Sequence, residues 1–485
     1  MKHVLSEHEP TTVFVWFEKI CSIPHGSGNE GPLADFIEAF ARERGLVCHR
    51  DGSNNLLVVR PATKGYEHRP AVLLQGHLDM VCEQADGMTH DFTRDGLDLV
   101  VEDGWIGARG TTLGGDDGIA VAYMLALLDG AATEHPRLEC LFTVSEETGL
   151  LGANAFDPSA AGVTASYMIN LDSEEEAVIT AGCAGGVRTD IHLSPERQAP
   201  EGTALHVSLS CLSGGHSGTG ITEGHANAIK VLSRILLTAF EQSDGGFRLV
   251  SISGGGKDNA IPRSAEAVLD VTAVGLEQRL TQLADAIRKE PWLIPADRSF
   301  AFCVTPRDSV CGSAATPDFT KKVLGLLISV SNGVLAMSAD LEGFPVYSRN
   351  LGVLSTTDES LLISMSSRSP SETLLDASEQ ELSALASGFG GTATHYARYP
   401  GWEYAPVSRL RSVWEQTYTR LIGSPIRVDV IHAGLECGIL RHKMPHLDVI
   451  SVGPTMAAIH TPDERLSIAS TARIFHVLCE VLKEL

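Results

Sequence analysis

The chain of 485 residues has no uninterrupted apolar stretch of about 18 residues, the length a membrane-spanning helix needs. Its opening segment, MKHVLSEHEPTTVFVWFEKI, scatters charge through every short apolar run, so it does not read as a secretory signal. The ten cysteines are widely spaced, with no C-x-x-C pair and no dense framework, which suits buried thiols in a reducing cytoplasm. Basic residues are also few, 37 against 61 acidic ones. The resulting net charge of -24 repels phosphate backbones and anionic headgroups, which argues against nucleic-acid and membrane partners.

What is present is ample apolar material, 43% of the chain, in a length that exceeds one comfortable domain, so two domains are expected. In the first 185 residues, short apolar runs at Ala71 to Leu74, Leu138 to Val144 and Tyr167 to Ile169 alternate with helix-like segments such as Pro32 to Arg44. This rhythm predicts an α/β domain with a buried, mostly parallel sheet. Each run is followed by polar chemistry: Gly76-His77-Leu78-Asp79, Ser145-Glu146-Glu147 and Asn170-Leu171-Asp172. In open α/β sheets the ligand crevice lies outside the carboxyl ends of the strands, so these are candidate site residues.

From about residue 187 the pattern changes. Clean alternation over Leu205 to Cys211 predicts a sheet with one wet face, and Ile229, Leu232, Ile235, Leu236 and Phe240 form a helical stripe. A second set of strand-like Leu361 to Ser366, helix-like Glu372 to Leu385 and strand-like Thr392 to Tyr399 gives this α+β region a two-halved look. After about residue 400, reactive punctuation returns with Val428 to His432, Leu447 to Val452 and His460-Thr461-Pro462-Asp463-Glu464. We therefore expect one catalytic domain built from 1–186 and 399–485, with 187–398 inserted.

Taken singly the motifs are weak. H-x-D is common in surface loops, the acids of Gly114-Gly115-Asp116-Asp117-Gly118 could merely complement a helix dipole, and Ser173-Glu174-Glu175-Glu176 reads as a solvated acidic loop. Together they form a mixed nitrogen and oxygen donor set at strand ends, which suits a pair of zinc-like ions. Glu146 and Glu147 diverge if the backbone is extended, one facing a metal and the other a water; spacing alone leaves open which is which.

The ordered set G-H-L-D, G-G-D-D-G, S-E-E-T-G, N-L-D-S and H-T-P-D-E resembles the M20 metallopeptidase family. Ile20 to His25, Ala181 to Gly186, Gly214 to Gly218, Asn259 to Arg263 and His432 to Gly438 narrow the likeness to its aminoacyl-histidine dipeptidase branch. The resemblance covers nearly the whole chain. It implies a zinc-exopeptidase-like catalytic domain with an inserted lid or dimerisation domain, and two divalent ions, Zn2+ first and Co2+ or Mn2+ as alternatives. One ion is implied on His77 and Asp172, the other on Glu147 and His460, with Asp116 bridging through a cis Asp116–Asp117 peptide. Asp79 would orient His77 and Glu146 would be the general base. The branch often has alanine and asparagine where this chain has Gly115 and Asp117. The inserted domain would bring His216 to the attacked carbonyl, Asn259 to the substrate and Arg368 to its terminal carboxylate, with Arg263 the alternative cation. The implied activity is hydrolysis of Xaa-His and similar dipeptides in the cytoplasm. A deacylase or aminopeptidase on the same site, a scaffold, and a homodimer all remain open.

Overall fold

The computed structural model describes residues 4–310 and 312–485, which divide into two compact units. The first comprises Met1–Cys183, Trp402–Val430 and Leu435–Leu485, and the second Ala184–Gly401 and Ile431–Gly434. Cys311 lies outside the described residues, and the nine described cysteines are free thiols. No helix among the described residues is long and apolar enough to cross a membrane.

The first unit is built on an eight-stranded sheet in the order Val47–Arg50, Leu56–Arg60, Leu138–Thr143, Val72–His77, Tyr167–Asn170, Asp448–Ser451, Val178–Cys183 and Arg427–Ile431. The four strands from Leu138–Thr143 to Asp448–Ser451 run parallel, and the pairings outside them at Leu56–Arg60 and Val178–Cys183 are antiparallel. The registers His77↔Thr143, Gln75↔Asn170 and Ser451↔Asn170 bring four carboxyl ends level. Strands Leu138–Thr143 and Val72–His77 are buried at every position, as expected where both faces of a parallel sheet are covered.

The helix Gly115–Leu128 is buried along its whole length. A helix apolar on all sides can exist only inside a core, and this one fills the space beside the sheet together with Phe14, Phe17 and Ile20 of Thr11–Cys21. A smaller sheet orders Met456–Ala457, Arg465–Ser467, Trp105–Ala108 and Leu99–Glu102. Its first two strands form the hairpin that carries His460.

The second unit is built on a nine-stranded sheet made of two halves. Ala301–Arg307, Thr203–Ser210, Ala265–Val271 and Phe247–Gly254 form one half, and Pro345–Thr356, Leu361–Ser369, Gly185–Leu193 and Thr392–Tyr399 the other, with Gly333–Met337 paired to Pro345–Thr356. The halves join through Gly254↔Leu354. Burial alternates along Thr203–Ser210, so this sheet has the wet face that its sequence predicts. Helix Ala228–Gln242 packs its apolar stripe inward and starts at Asn227, whose side chain accepts hydrogen bonds from the amides of Ile229 and Lys230.

Candidate active site

At the carboxyl end of its strand, buried His77 points Nε2 at Asp116 Oδ1 (3.1 Å) and Asp172 Oδ1 (3.7 Å). Its Nδ1 lies 2.9 Å from the carbonyl oxygen of Asp79 and 3.4 Å from that residue's carboxylate. The shorter contact assigns the proton to Nδ1 and leaves Nε2 as a donor atom for a metal. Asp79 thus orients His77 first through its backbone. Its carboxylate is turned instead to the next motif, accepting hydrogen bonds from the amides of Glu146 (2.9 Å) and Glu147 (3.3 Å) and from Ser27 Oγ (2.8 Å). Ser145, with φ of 52°, makes the turn that aims both glutamates. The buried Glu30 carboxylate holds Ser145 through its amide (3.0 Å) and hydroxyl (2.8 Å).

Asp116 stands between two imidazoles, with Oδ1 on His77 and Oδ2 3.0 Å from His460 Nε2. The peptide from Asp116 to Asp117 is cis, the geometry the family resemblance implies. Asp117 is fully buried and its Oδ2 accepts the His77 amide (3.1 Å). Gly76 makes that approach possible, because a Cβ there would sit 2.5 Å from Asp117 Oδ2. His460 Nε2 also lies 2.9 Å from Glu147 Oε1, and its φ of 61° is left-handed, a strained conformation for a residue with a side chain.

Three overlapping groups have ligand atoms within 4.8 Å of one another: His77, Asp116 and Asp172; Asp116, Glu147 and His460; His77, Glu146 and Glu147. The donors fit two hard or borderline divalent cations, since carboxylates crowd around two imidazoles and, among the described residues, no lysine or arginine ion-pairs with Asp116, Asp172 or Glu147. The electrostatics agree. Burial, reinforced by neighbouring carboxylates, pushes Glu146 up to about 9 and Asp172 up to about 7. Hydrogen bonds to Asp116 and Glu147 raise His460 to about 10. Despite its burial, hydrogen bonds to both imidazoles hold the Asp116 carboxyl below the ordinary range. Two divalent cations held by these donors would favour the ionised carboxylates and the neutral imidazoles.

The second unit brings His216 and Asn259 together, since Gly215-His216 pairs with Ala260-Ile261 and the Ser217 amide donates to the Asn259 carbonyl. His216 Nδ1 accepts from the amides of Gly218 (3.3 Å) and Thr219 (3.2 Å). That fixes the proton on Nε2, while burial and Arg368 lower the ring's pKa. Arg368 is only 8% exposed; its Nη1 donates to Tyr399 Oη (3.0 Å) and its buried Nε has no partner. Burial and the same guanidinium push His432 down to about 4, so its imidazole is neutral beside Ser348, 2.7 Å away. Arg263 is exposed and its Nε is engaged by the Leu212 carbonyl.

The profile of Peptidase family M20/M25/M40 matches residues 73–484. The chain belongs to this peptidase family. It is therefore a hydrolase acting on peptide bonds. It is 37% identical to the cytosol non-specific dipeptidase of Escherichia coli (strain K12), over 99% of each chain. The crystal structure of aminoacylhistidine dipeptidase from Vibrio alginolyticus superposes with a TM-score of 0.93 at 31% identity, covering 99% of this chain and 98% of that one. The aminopeptidase PepT structure from Bacillus cereus shares the fold at a TM-score of 0.56 and 15% identity, over 98% of this chain and 99% of that one.

Within this M20 frame several residues around the donors have contacts that no motif reveals, although Glu436 and Glu464 themselves stand inside quoted motifs. Glu30, Ser27, Gln75, Glu436 and Glu464 all touch the segments that carry the donors. Part of the acidic run after Asp172 also differs from a solvated loop: Glu176 is buried and held in a two-pronged pair by Arg473, at 2.6 Å to each oxygen. A buried acid inside a charge run is visible only once its arginine, 297 residues away, is in place.

Proposed function

We propose that this M20 peptidase is a dinuclear metallodipeptidase that cleaves dipeptides with a free C-terminus, Xaa-His dipeptides preferentially. The observation that carries the reading is Asp116, whose two oxygens each meet a different imidazole, His77 on one side and His460 on the other. A carboxylate so placed suits bridging, with Asp172 completing the His77 side and Glu147 the His460 side. Two divalent ions held there, with zinc first among them, would acidify a water and polarise the scissile carbonyl.

The chain's own residues do the rest. Glu146 takes the proton of the attacking water and hands it to the departing amine. Its backbone is fixed by Asp79 while its carboxylate stays outside the Asp116, Glu147 and His460 group. From the second unit, His216 gives its Nε2–H to the carbonyl oxygen as charge builds there, a role supported by the acceptor duty of its Nδ1. Asn259 contacts the substrate, and Arg368 forks onto the terminal carboxylate, supported by a buried guanidinium with a bare Nε. These three assignments rest on family resemblance and side-chain chemistry.

The dipeptide preference rests on the two relatives that match along the whole chain, one named a non-specific dipeptidase and the other an aminoacylhistidine dipeptidase. The domain boundaries 186/187 and 398/399, a cytoplasmic location and a homodimer belong to the same proposal. The decisive assay is hydrolysis by metal-loaded protein of a panel holding Xaa-His and carnosine-like dipeptides, longer peptides and N-acyl amino acids. Dipeptides should lead the panel; N-acyl amino acids leading would make the chain a deacylase of the same family.

A further inference from the structure

The buried Glu464 carboxylate, 4% exposed, accepts hydrogen bonds from four consecutive backbone amides. Oε2 receives Leu113 N (2.9 Å) and Gly114 N (3.2 Å), and Oε1 receives Gly115 N (2.8 Å) and Asp116 N (3.4 Å). These amides open the helix Gly115–Leu128, and Gly114 turns the chain there with φ of 64°. An anion suits such a run of unpaired donors. Here the acceptor is a carboxyl group of the protein itself, at the end of the hairpin loop 458–464 that carries His460. The close fit extends to Gly115, whose Cβ would meet Glu464 Oε1 at 3.3 Å.

We infer that Glu464 is a positioning residue for the metal centre, resting on the two-metal reading above. It locks the segment that bears Asp116 to the loop that bears His460, and so sets the 3.0 Å contact between Asp116 Oδ2 and His460 Nε2 before any ion arrives. Two ligands separated by 344 residues of chain are held in register by one side chain four residues from the second of them. The entropy of assembling the bridge is thereby spent during folding rather than on metal binding.

Glu464→Gln tests this. However the amide is turned, its NH2 faces two backbone N–H groups, so half of the clamp is lost while size is kept. The readout is cobalt titration of metal-free protein, followed by visible absorption and calorimetry, with the Tm of each metal-free variant recorded alongside. Both binding steps should weaken ~10- to 100-fold, because Asp116 serves both sides, with an altered cobalt spectrum and a fall in kcat larger than any change in KM. Glu464→Asp, which keeps two acceptor oxygens on a shorter arm, should recover part of the affinity, and it replaces the amide variant if that one does not fold. Lys230→Met, in the second unit, controls for lost stability alone. Wild-type cobalt affinities and spectrum in folded Glu464→Gln, or in Glu464→Asp where it has to replace that variant, overturn the inference, as does an equal loss in Lys230→Met. If the wild-type protein itself takes up fewer than two equivalents, it is the two-metal reading that fails.

Discussion

Glu146 and Glu147 are adjacent, and exchanging each for glutamine separates their roles. Glu147 Oε1 lies 2.9 Å from His460 Nε2 and groups with Asp116 and His460, whereas Glu146 joins only the group with His77 and Glu147. Glu147→Gln therefore removes a charged oxygen from the His460 side, and one ion should be lost or bound ~10- to 100-fold more weakly. Glu146→Gln leaves His77, Asp116, Asp172, Glu147 and His460 untouched, and the hydrogen bond from its own amide to Asp79 does not depend on the side chain. Both ions should stay. What disappears is the proton acceptor, worth ~10²- to 10⁴-fold in kcat, or about 2.7 to 5.5 kcal/mol of barrier. The assay is metal content by mass spectrometry after gel filtration, paired with kcat on an Xaa-His dipeptide. An ion missing from Glu146→Gln, with Glu147→Gln fully loaded but inactive, would refute the assignment and exchange the two roles.

Asp116→Ala should strip ligands from both sides at once, and full metal occupancy in that variant would remove the bridging role. Gly76→Ala would place a Cβ 2.5 Å from Asp117 Oδ2 and 2.6 Å from Ala120 Cβ. Overpacking of about 1 to 3 kcal/mol, with the His77 amide losing its acceptor, should lower the Tm and metal uptake together; an unchanged Tm would contradict it. Lys230 Nζ donates to the carbonyls of Leu327 (2.7 Å), Ile328 (2.9 Å) and Val330 (2.7 Å) at the end of the helix Pro317–Ser329. Its replacement by methionine should cost about 2 to 4 kcal/mol in denaturant titration while leaving KM alone. For the proposed carboxylate fork, a dipeptide amide should show kcat/KM on the order of 10²- to 10³-fold below the free acid. Arg368→Ala should erase that gap, and an equal rate for acid and amide in the parent protein would dismiss the fork.

The candidate donors were legible as short motifs where strands end: His77, Asp116 and Asp172 group together, as do Asp116, Glu147 and His460. The parallel centre of the sheet was legible for a related reason, since short, mostly apolar runs such as Leu138 to Val144 mark strands covered on both faces. Orientation was less so. The sequence pairs Asp79 with His77, and the carboxylate does lie 3.4 Å from Nδ1, but the backbone carbonyl is nearer and the carboxylate also takes the Glu146 and Glu147 amides, a division that depends on backbone angles no spacing reveals. Glu464 escaped because its partners lie up to 351 residues away and are backbone amides, which leave no mark in composition.

One signal could have led further. Gln75 and Asn170 are polar residues inside buried strands, each two positions before a candidate metal ligand, and so on the same side of the strand wherever the extended backbone continues. In the structure Gln75 Nε2 donates to Glu436 Oε2 (2.5 Å) and Thr143 Oγ1 (3.1 Å), Asn170 Nδ2 donates to Gln75 Oε1 (2.7 Å), and Thr143 Oγ1 donates to Glu436 Oε2 (2.6 Å). A hydrogen-bonded group thus runs across three neighbouring strands whose ends carry the candidate donors. Burying four such groups is costly, and they satisfy one another only in part, since Asn170 Oδ1 and Glu436 Oε1 stay buried without a partner. Glu436 closes the network from the last third of the chain, as Glu464 closes the clamp above the helix. The candidate metal ligands come from short motifs, but Glu436 and Glu464 meet partners 293 to 361 residues away in the chain, which is why the donors can be read locally and the contacts around them cannot.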